Sequence, residues 1–321
     1  MWVERFKRRF VEFYFRPQSN GWISILRIGM ALQVILFVLA LRNDWIHLLS
    51  GGERGLIGRD LTEAVLDAES PLIPRLGWLV TIGNHLGASE RTLLSIVWIG
   101  LLVSGCFLLA GFFCRPAAIA AWFLHLCVVK SANYLAYGVD NLTTVSLFYL
   151  MISPLPDRMS LDWQLRRRRT PDPRIVGFSR RLVQIHLCLI YLFGGIAKLS
   201  GTGWWNGTNL WRALTLPPFN FVDPQFLLRW KVLLPAAGLF ICLLEIGYPF
   251  FIWSRRTRTI WLICICVMHG LIGLTMGMYL FALIMLILNL AAFGPMPMPQ
   301  QTQEIEKQRG KLKFEPSCQL I

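Results

Sequence analysis

Eight stretches of this chain are apolar over about the length that carries a helix through hydrocarbon, and nothing else in the sequence limits the fold as much. A crossing helix needs about 20 mainly apolar residues, and such runs lie at 22–41, 92–113, 117–136, 141–154, 182–200, 233–253, 259–276 and 278–296. With 55% of the 321 residues hydrophobic and 16% charged, the chain is no disordered tail, collagen or ordinary cytosolic enzyme. The pattern predicts an all-α polytopic membrane bundle of about eight transmembrane helices. The fourth run is expected to begin within Tyr137 to Asp140. The seventh and eighth, parted only by Gly277, should form a tight helical hairpin, and the connections 42–91 and 201–232 are long.

Lys and Arg number 32 against 18 Asp and Glu, a net charge of +14. Such an excess suits either nucleic acid or the inner side of a membrane, and its placement decides between them. With the N-terminus inside, the inner segments hold Arg5, Lys7, Arg8, Arg9 and Arg16, then Arg115, then Arg158, the run 166–169, Arg174, Arg180 and Arg181. Arg255, Arg256 and Arg258 follow, and last Lys307, Arg309, Lys311 and Lys313. The outer segments hold only Arg42, Arg54, Arg59, Arg75, Arg91, Arg212, Arg229 and Lys231, and acidic residues balance the first outer loop. Both termini are therefore expected in the cytoplasm, the partner is the lipid bilayer, and no nucleic acid is expected.

Residues 1–20 read as an interfacial basic helix, because Trp2, Phe6, Phe10 and Phe13 recur at helical spacing opposite Arg5, Arg8, Arg9 and Glu12. Residues 21–296 form the transmembrane domain and 297–321 a cytoplasmic polar tail. The first run ends without a small-residue cleavage site and is expected to stay as an anchor. The expected location is multi-pass in a membrane, the inner or plasma membrane in a bacterium. Gln225 to Val232 could form a short amphipathic segment in an ordered outer loop.

Seven of eight cysteines fall in or beside the runs, and Cys264 and Cys266 would point apart on a helix, which suits packing better than redox or zinc chemistry. No metal is predicted.

Chemistry is best sought where charge is costly. An ionisable group in hydrocarbon costs roughly 2.5 kcal/mol or more and needs a partner, a route to water or a task. The buried polar network is expected to comprise Arg27, His125, His186, Glu245 and His269, with Lys130, Lys198 and Asp140 toward the outside. Glu245 could pair with Arg27 or serve a proton relay, and His269 is expected to join it. On the fifth run Gln184, Cys188, Tyr191, Gly195 and Lys198 form a stripe; on the third, Lys130, Asn133, Tyr134 and Tyr137 do, and both should look inward. Gly194 and Gly195 would let a helix or flat ligand approach. Summed as charges, Arg27, Lys130 and Lys198 outnumber Glu245 and Asp140, so one lysine could be neutral and serve as a general base. Lys198 is either that base or a lysine that snorkels to the interface.

The segments LFGGIAKLSGTGWWNG, LRIGMALQVILFVLALRND, YGVDNLTTVSLFYLMISP, LLEIGYPFFIWSRRTR and VMHGLIGLTMGMYLF resemble the HTTM superfamily, the transmembrane domain shared by vitamin K-dependent gamma-glutamyl carboxylases and many bacterial proteins. The resemblance covers roughly residues 20 to 295 and is most specific in the Gly-x-x-Lys-Leu segment followed by Trp and Gly. It implies that Lys198 deprotonates reduced vitamin K or another quinol. The quinol anion then reacts with oxygen to give a strong base, which removes a proton from the glutamate gamma carbon, where carbon dioxide adds. Asn141 stands where those enzymes carry a histidine. Lys130, Asn133, Tyr134, Asp140, Tyr191, Gly195, Trp204 and Trp205 are then candidates to bind substrate or quinone.

Three classes of function follow. One is a carboxylase-like lyase acting on a secreted peptide or protein, with Lys198 and Asn141 catalytic. The second is a noncatalytic membrane factor for maturation of, or immunity to, a secreted peptide. The third is a proton-coupled transporter using Glu245, His269 and Arg27.

Overall fold

The computed structural model describes residues 2–51, 59–166, 171–218 and 221–295. Arg54, the basic positions 167–169, Cys318 and the tail 297–321 lie outside the described residues. Within them the chain is helical, without strands. The helices are α1 (Trp2–Tyr14), α2 (Gly21–Ala40), α3 (Trp45–Leu49), α4 (Arg59–Glu69), α5 (Leu76–His85), α6 (Glu90–Ala110), α7 (Cys114–Ser131) and α8 (Gly138–Ile152). They continue with α9 (Leu161–Arg166), α10 (Pro173–Leu199), α11 (Thr202–Trp205), α12 (Thr208–Thr215), α13 (Pro224–Arg229), α14 (Leu234–Phe251), α15 (Arg258–Met276) and α16 (Tyr279–Phe293).

A helix stands at each apolar run. Five helical stretches, including α2, α6, α10 and α15 and the one ending in α14, are long and apolar enough to cross a membrane, while α8 and α16 are shorter apolar helices. The remaining one, α7, carries Arg115 and Lys130 near its ends. Gly277, at a φ of 68°, closes the hairpin between α15 and α16, a left-handed conformation that glycine adopts without a Cβ clash.

Central in the bundle is α2. Trp22, Leu26, Met30, Val34 and Val38 follow steps of four and are fully buried. Their helix packs between α6 and α16, and Gly29 makes that possible: a Cβ there would lie 2.6 Å from Ile287 Cγ1. Outer faces stay apolar, as at Ile96 and Ile99 on α6 and Leu243 and Phe250 on α14, all exposed. In a bundle with so polar an interior this is the surface lipid would cover.

One end of the bundle is organised by arginines. A helix leaves its last four carbonyls without intrahelical partners, and in hydrocarbon no water replaces them. Arg27 Nη1 donates to the Leu108 and Leu109 carbonyls of α6 at 2.5 and 3.1 Å. Arg115 donates to Met151 and Ser153 at the end of α8, at 2.7 and 2.9 Å. Arg258 does the same for Ile252 and Trp253 after α14, both at 3.1 Å. Arg180 serves α16 through the Ala291, Ala292 and Gly294 carbonyls at 2.9 to 3.0 Å. Each guanidinium thus meets the negative end of a helix dipole. These four helices are the ones that the alternation of runs predicts to end inside.

Two sequence expectations need correction here. The helix of the third run stops at Ser131 rather than Ala136, so its stripe breaks: Asn133, Tyr134 and Tyr137 fall in and after the turn and are exposed. The fifth helix starts at Pro173, capped by Asp172 accepting from the Arg174 N–H at 2.8 Å. Arg180 and Arg181, expected in an inner loop, are therefore buried within α10. Arg181 sits over the rings of Phe13 and Trp253, 4.3 and 4.8 Å from their centroids, and donates to the Phe13 carbonyl at 3.0 Å. This fastens the end of α1, whose earlier aromatic residues Trp2, Phe6 and Phe10 are exposed.

Candidate functional site

The site begins with a close helix contact. α10 and α14 approach at Gly195, where a Cβ would lie 2.7 Å from Ile246 Cγ1 and 2.9 Å from the Ile246 nitrogen. Any side chain would push the helices apart. Three residues on, Lys198 sits one residue before the end of α10. Side chains on a helix lean toward its N-terminus, so the lysine reaches back into the bundle. Its Nζ donates to Glu245 Oε2 at 2.5 Å. The glutamate side chain is 7% exposed and the lysine side chain 30%. Lys198 therefore turns back toward Glu245, with its side chain only partly exposed.

The surroundings of the pair are specific. The Trp204 ring centroid lies 5.8 Å from the amine, and α11, which carries Trp204, rests on Gly238 of α14. Trp205 donates its indole N–H to the Leu199 carbonyl at 2.8 Å, completing the end of α10. Gly194 leaves room beside the pair: a Cβ there would meet only Glu245 Oε2 at 3.5 Å and Lys198 Nζ at 3.8 Å.

The predicted stripe on α10 does face inward, with Gln184, Cys188, Tyr191 and Gly195 buried. Below the ion pair, Tyr191 and His269 Nε2 are 2.9 Å apart. Asn289 Nδ2 donates to the Tyr191 hydroxyl at 2.7 Å, and the Tyr248 hydroxyl donates to Asn289 Oδ1 at 2.8 Å. His269 is thus held by tyrosine and makes no hydrogen bond to Glu245, contrary to the expectation from sequence; its Nδ1 is buried without a partner.

The expected Arg27–Glu245 pairing is also corrected. Arg27 Nε pairs with Asp157 Oδ2 at 2.6 Å, and Ser24 donates to Asp157 Oδ1 at 2.5 Å. Asp157 was missed because it lies beyond an apolar run, in a Pro-flanked segment that reads as solvent-exposed loop. Only the surplus of buried cations hinted at it. Asn289 and Tyr248 were missed as well, although a lone asparagine within LIMLILNLAAF is itself a signal that another helix must satisfy it.

The remaining predicted residues scatter. His125 is fully buried with Nδ1 3.0 Å from Thr144 Oγ1, and His186 Nδ1 lies 3.0 Å from the Tyr149 hydroxyl. Lys130 is half-buried and Asn141 is exposed on α8; no hydrogen bond joins either to Lys198 among the described residues. Asp140 is buried at the start of α8, where Oδ2 accepts the Tyr137 N–H at 2.9 Å. Although Tyr137 is exposed as a residue, partial burial of its phenol, and then this carboxylate, push it above its ordinary range.

Among known proteins, the HTTM domain family model matches residues 81–295, from within α5 to just past α16. No curated protein and no solved structure matches the chain. The match leaves out α2, which the structure nonetheless places in the centre of the bundle. This chain belongs to the HTTM domain family and is a multi-pass integral membrane protein.

Proposed function

We propose that the protein is a carboxylase-like membrane enzyme in which Lys198 and Glu245 form a proton-transfer pair for a lipid-soluble quinol such as reduced vitamin K. Eight helices cross the membrane with both termini in the cytoplasm, and the pair lies toward the outer end. The observation that carries this reading is the part-buried 2.5 Å contact between Lys198 Nζ and Glu245 Oε2.

The residues present fit such a ligand. Gly194 keeps one side of the pair free of side chains, and the Trp204 ring offers a flat apolar face. A quinol, when bound, supplies an acidic O–H and reducing electrons. The pair shares one proton and is neutral as a whole, whether written as ammonium with carboxylate or as amine with carboxylic acid. With the proton on Glu245, the Lys198 amine has a lone pair that can accept a proton from an O–H placed beside Gly194. The pair then carries one positive charge, which in a poorly hydrated site strongly favours negative charge on the group that gave up the proton. Trp204 and α11 limit water at the outer end.

The test is turnover by purified protein given reduced vitamin K, labelled carbon dioxide and a glutamyl peptide. Label uptake by the wild type and a loss of about 100-fold or more in Lys198→Ala and Glu245→Gln are expected. Epoxide without label uptake narrows the reaction to quinone chemistry. A wild type that does neither refutes the proposal.

The same ion pair also supports a second reading, a noncatalytic membrane factor for a secreted peptide, in which it only clamps α10 to α14. In that case Lys198→Met combined with Glu245→Leu preserves the biological function.

A further inference from the structure

The end of the bundle opposite the arginine caps carries a second feature, built from other helices than the Lys198–Glu245 pair. A cavity of about 200 Å³ lies between α2, α3, the end of α7 and the start of α8. Phe37, Leu41, Trp45, Val128, Val139 and Leu280 supply walls of hydrocarbon and aromatic surface. Trp45 adds no free donor, because its indole N–H is given to the Leu94 carbonyl at 2.8 Å. Leu135 and Tyr137, both exposed, bring the rim to the surface at the turn between α7 and α8.

One residue breaks the apolar lining. Among the described residues Asp140 is the only charged group in the lining, and it is 7% exposed. A carboxylate has about four acceptor positions; the Tyr137 N–H at 2.9 Å fills one of them. Among the described residues no ion pair involves Asp140, and three basic groups of this end are engaged elsewhere: Lys198 pairs with Glu245, Arg59 with Glu63 and Glu90, Arg75 with Asp67. A buried anion without a cation is costly to keep. An incoming cation with an apolar body would relieve that cost and fill the cavity at once.

We infer that this cavity binds a lipophilic amine, its chain against Phe37, Trp45 and Val128 and its ammonium on the Asp140 carboxylate. The structure also gives the site a selectivity. A fatty acid of equal length brings a second anion to Asp140, and a fatty alcohol offers one neutral donor in place of a charge-assisted contact.

The experiment is equilibrium binding of radiolabelled dodecylamine to the full-length protein in nonionic detergent, with dodecanol and dodecanoate as competitors. Saturable binding is expected, with dodecanol weaker by about tenfold or more and dodecanoate without effect. Asp140→Asn keeps an acceptor for the Tyr137 N–H and is expected to weaken dodecylamine by about tenfold or more. Ala132→Phe, which fills the cavity and keeps Asp140, is expected to abolish saturable binding in protein that still elutes as a folded species. Partitioning without saturation, equal affinity for dodecanol, or unchanged affinity in Asp140→Asn would each overturn the inference.

Discussion

Arg27 and Asp157 form an ion pair of 2.6 Å whose side chains are 1% and 0% exposed, and the same arginine holds the end of α6. Neither charge has access to water, so each depends on the other. Arg27→Met or Asp157→Leu alone should lower stability by about 3 to 5 kcal/mol, because the partner is left buried and uncompensated. The double variant should recover much of that loss. Thermal unfolding of the four proteins in one detergent, analysed as a double-mutant cycle, checks this; additive losses would mean the pair does not couple.

Gly195 and Gly194 are adjacent in sequence and should respond oppositely to Ala. At 195 a methyl group runs into Ile246, and overpacking of this kind costs about 1 to 3 kcal/mol. At 194 the nearest atoms stand at ordinary contact distance, so stability should hold while access to the Lys198–Glu245 pair narrows. Melting temperature separates the two effects.

Asn289 holds two tyrosine hydroxyls at once. Asn289→Leu leaves those of Tyr191 and Tyr248 without it, and a loss of about 1 to 3 kcal/mol is expected. The companion variant Tyr248→Phe removes one hydroxyl together with its need for a partner and should cost less.

Orientation can be read by labelling single cysteines with a membrane-impermeant thiol reagent in intact cells, in a background lacking the native ones. Leu72→Cys and Leu86→Cys, at highly exposed positions, should react from outside. Arg256→Cys, exposed after α14, should react only once the membrane is opened. The reverse pattern would invert the proposed topology.

The apolar helices were legible because hydropathy alone sets them: every run became a helix, and Gly277 made the turn its position implies. The inward stripe on α10 was legible for the same reason, since helical spacing holds wherever the helix is unbroken. The stripe after Lys130 failed because periodicity does not reveal where a helix stops. Pairing was the least legible. Arg27 and Glu245 were rightly marked as needing partners, but which residues answered them depends on how distant segments meet. Asp157 is 130 residues from Arg27, and Lys198 reached Glu245 only because Gly195 lets two backbones touch.

The arginines that end α6, α8, α14 and α16 have a consequence for biosynthesis. In the proposed orientation such residues act as retention signals during insertion, holding their side of the chain back from translocation; afterwards the same side chains close the helices. A copy inserted upside down would have to carry those guanidinium groups across the bilayer before any helix end could be completed. Orientation and assembly are therefore one decision, and removing an arginine to alter the first should be felt in the second.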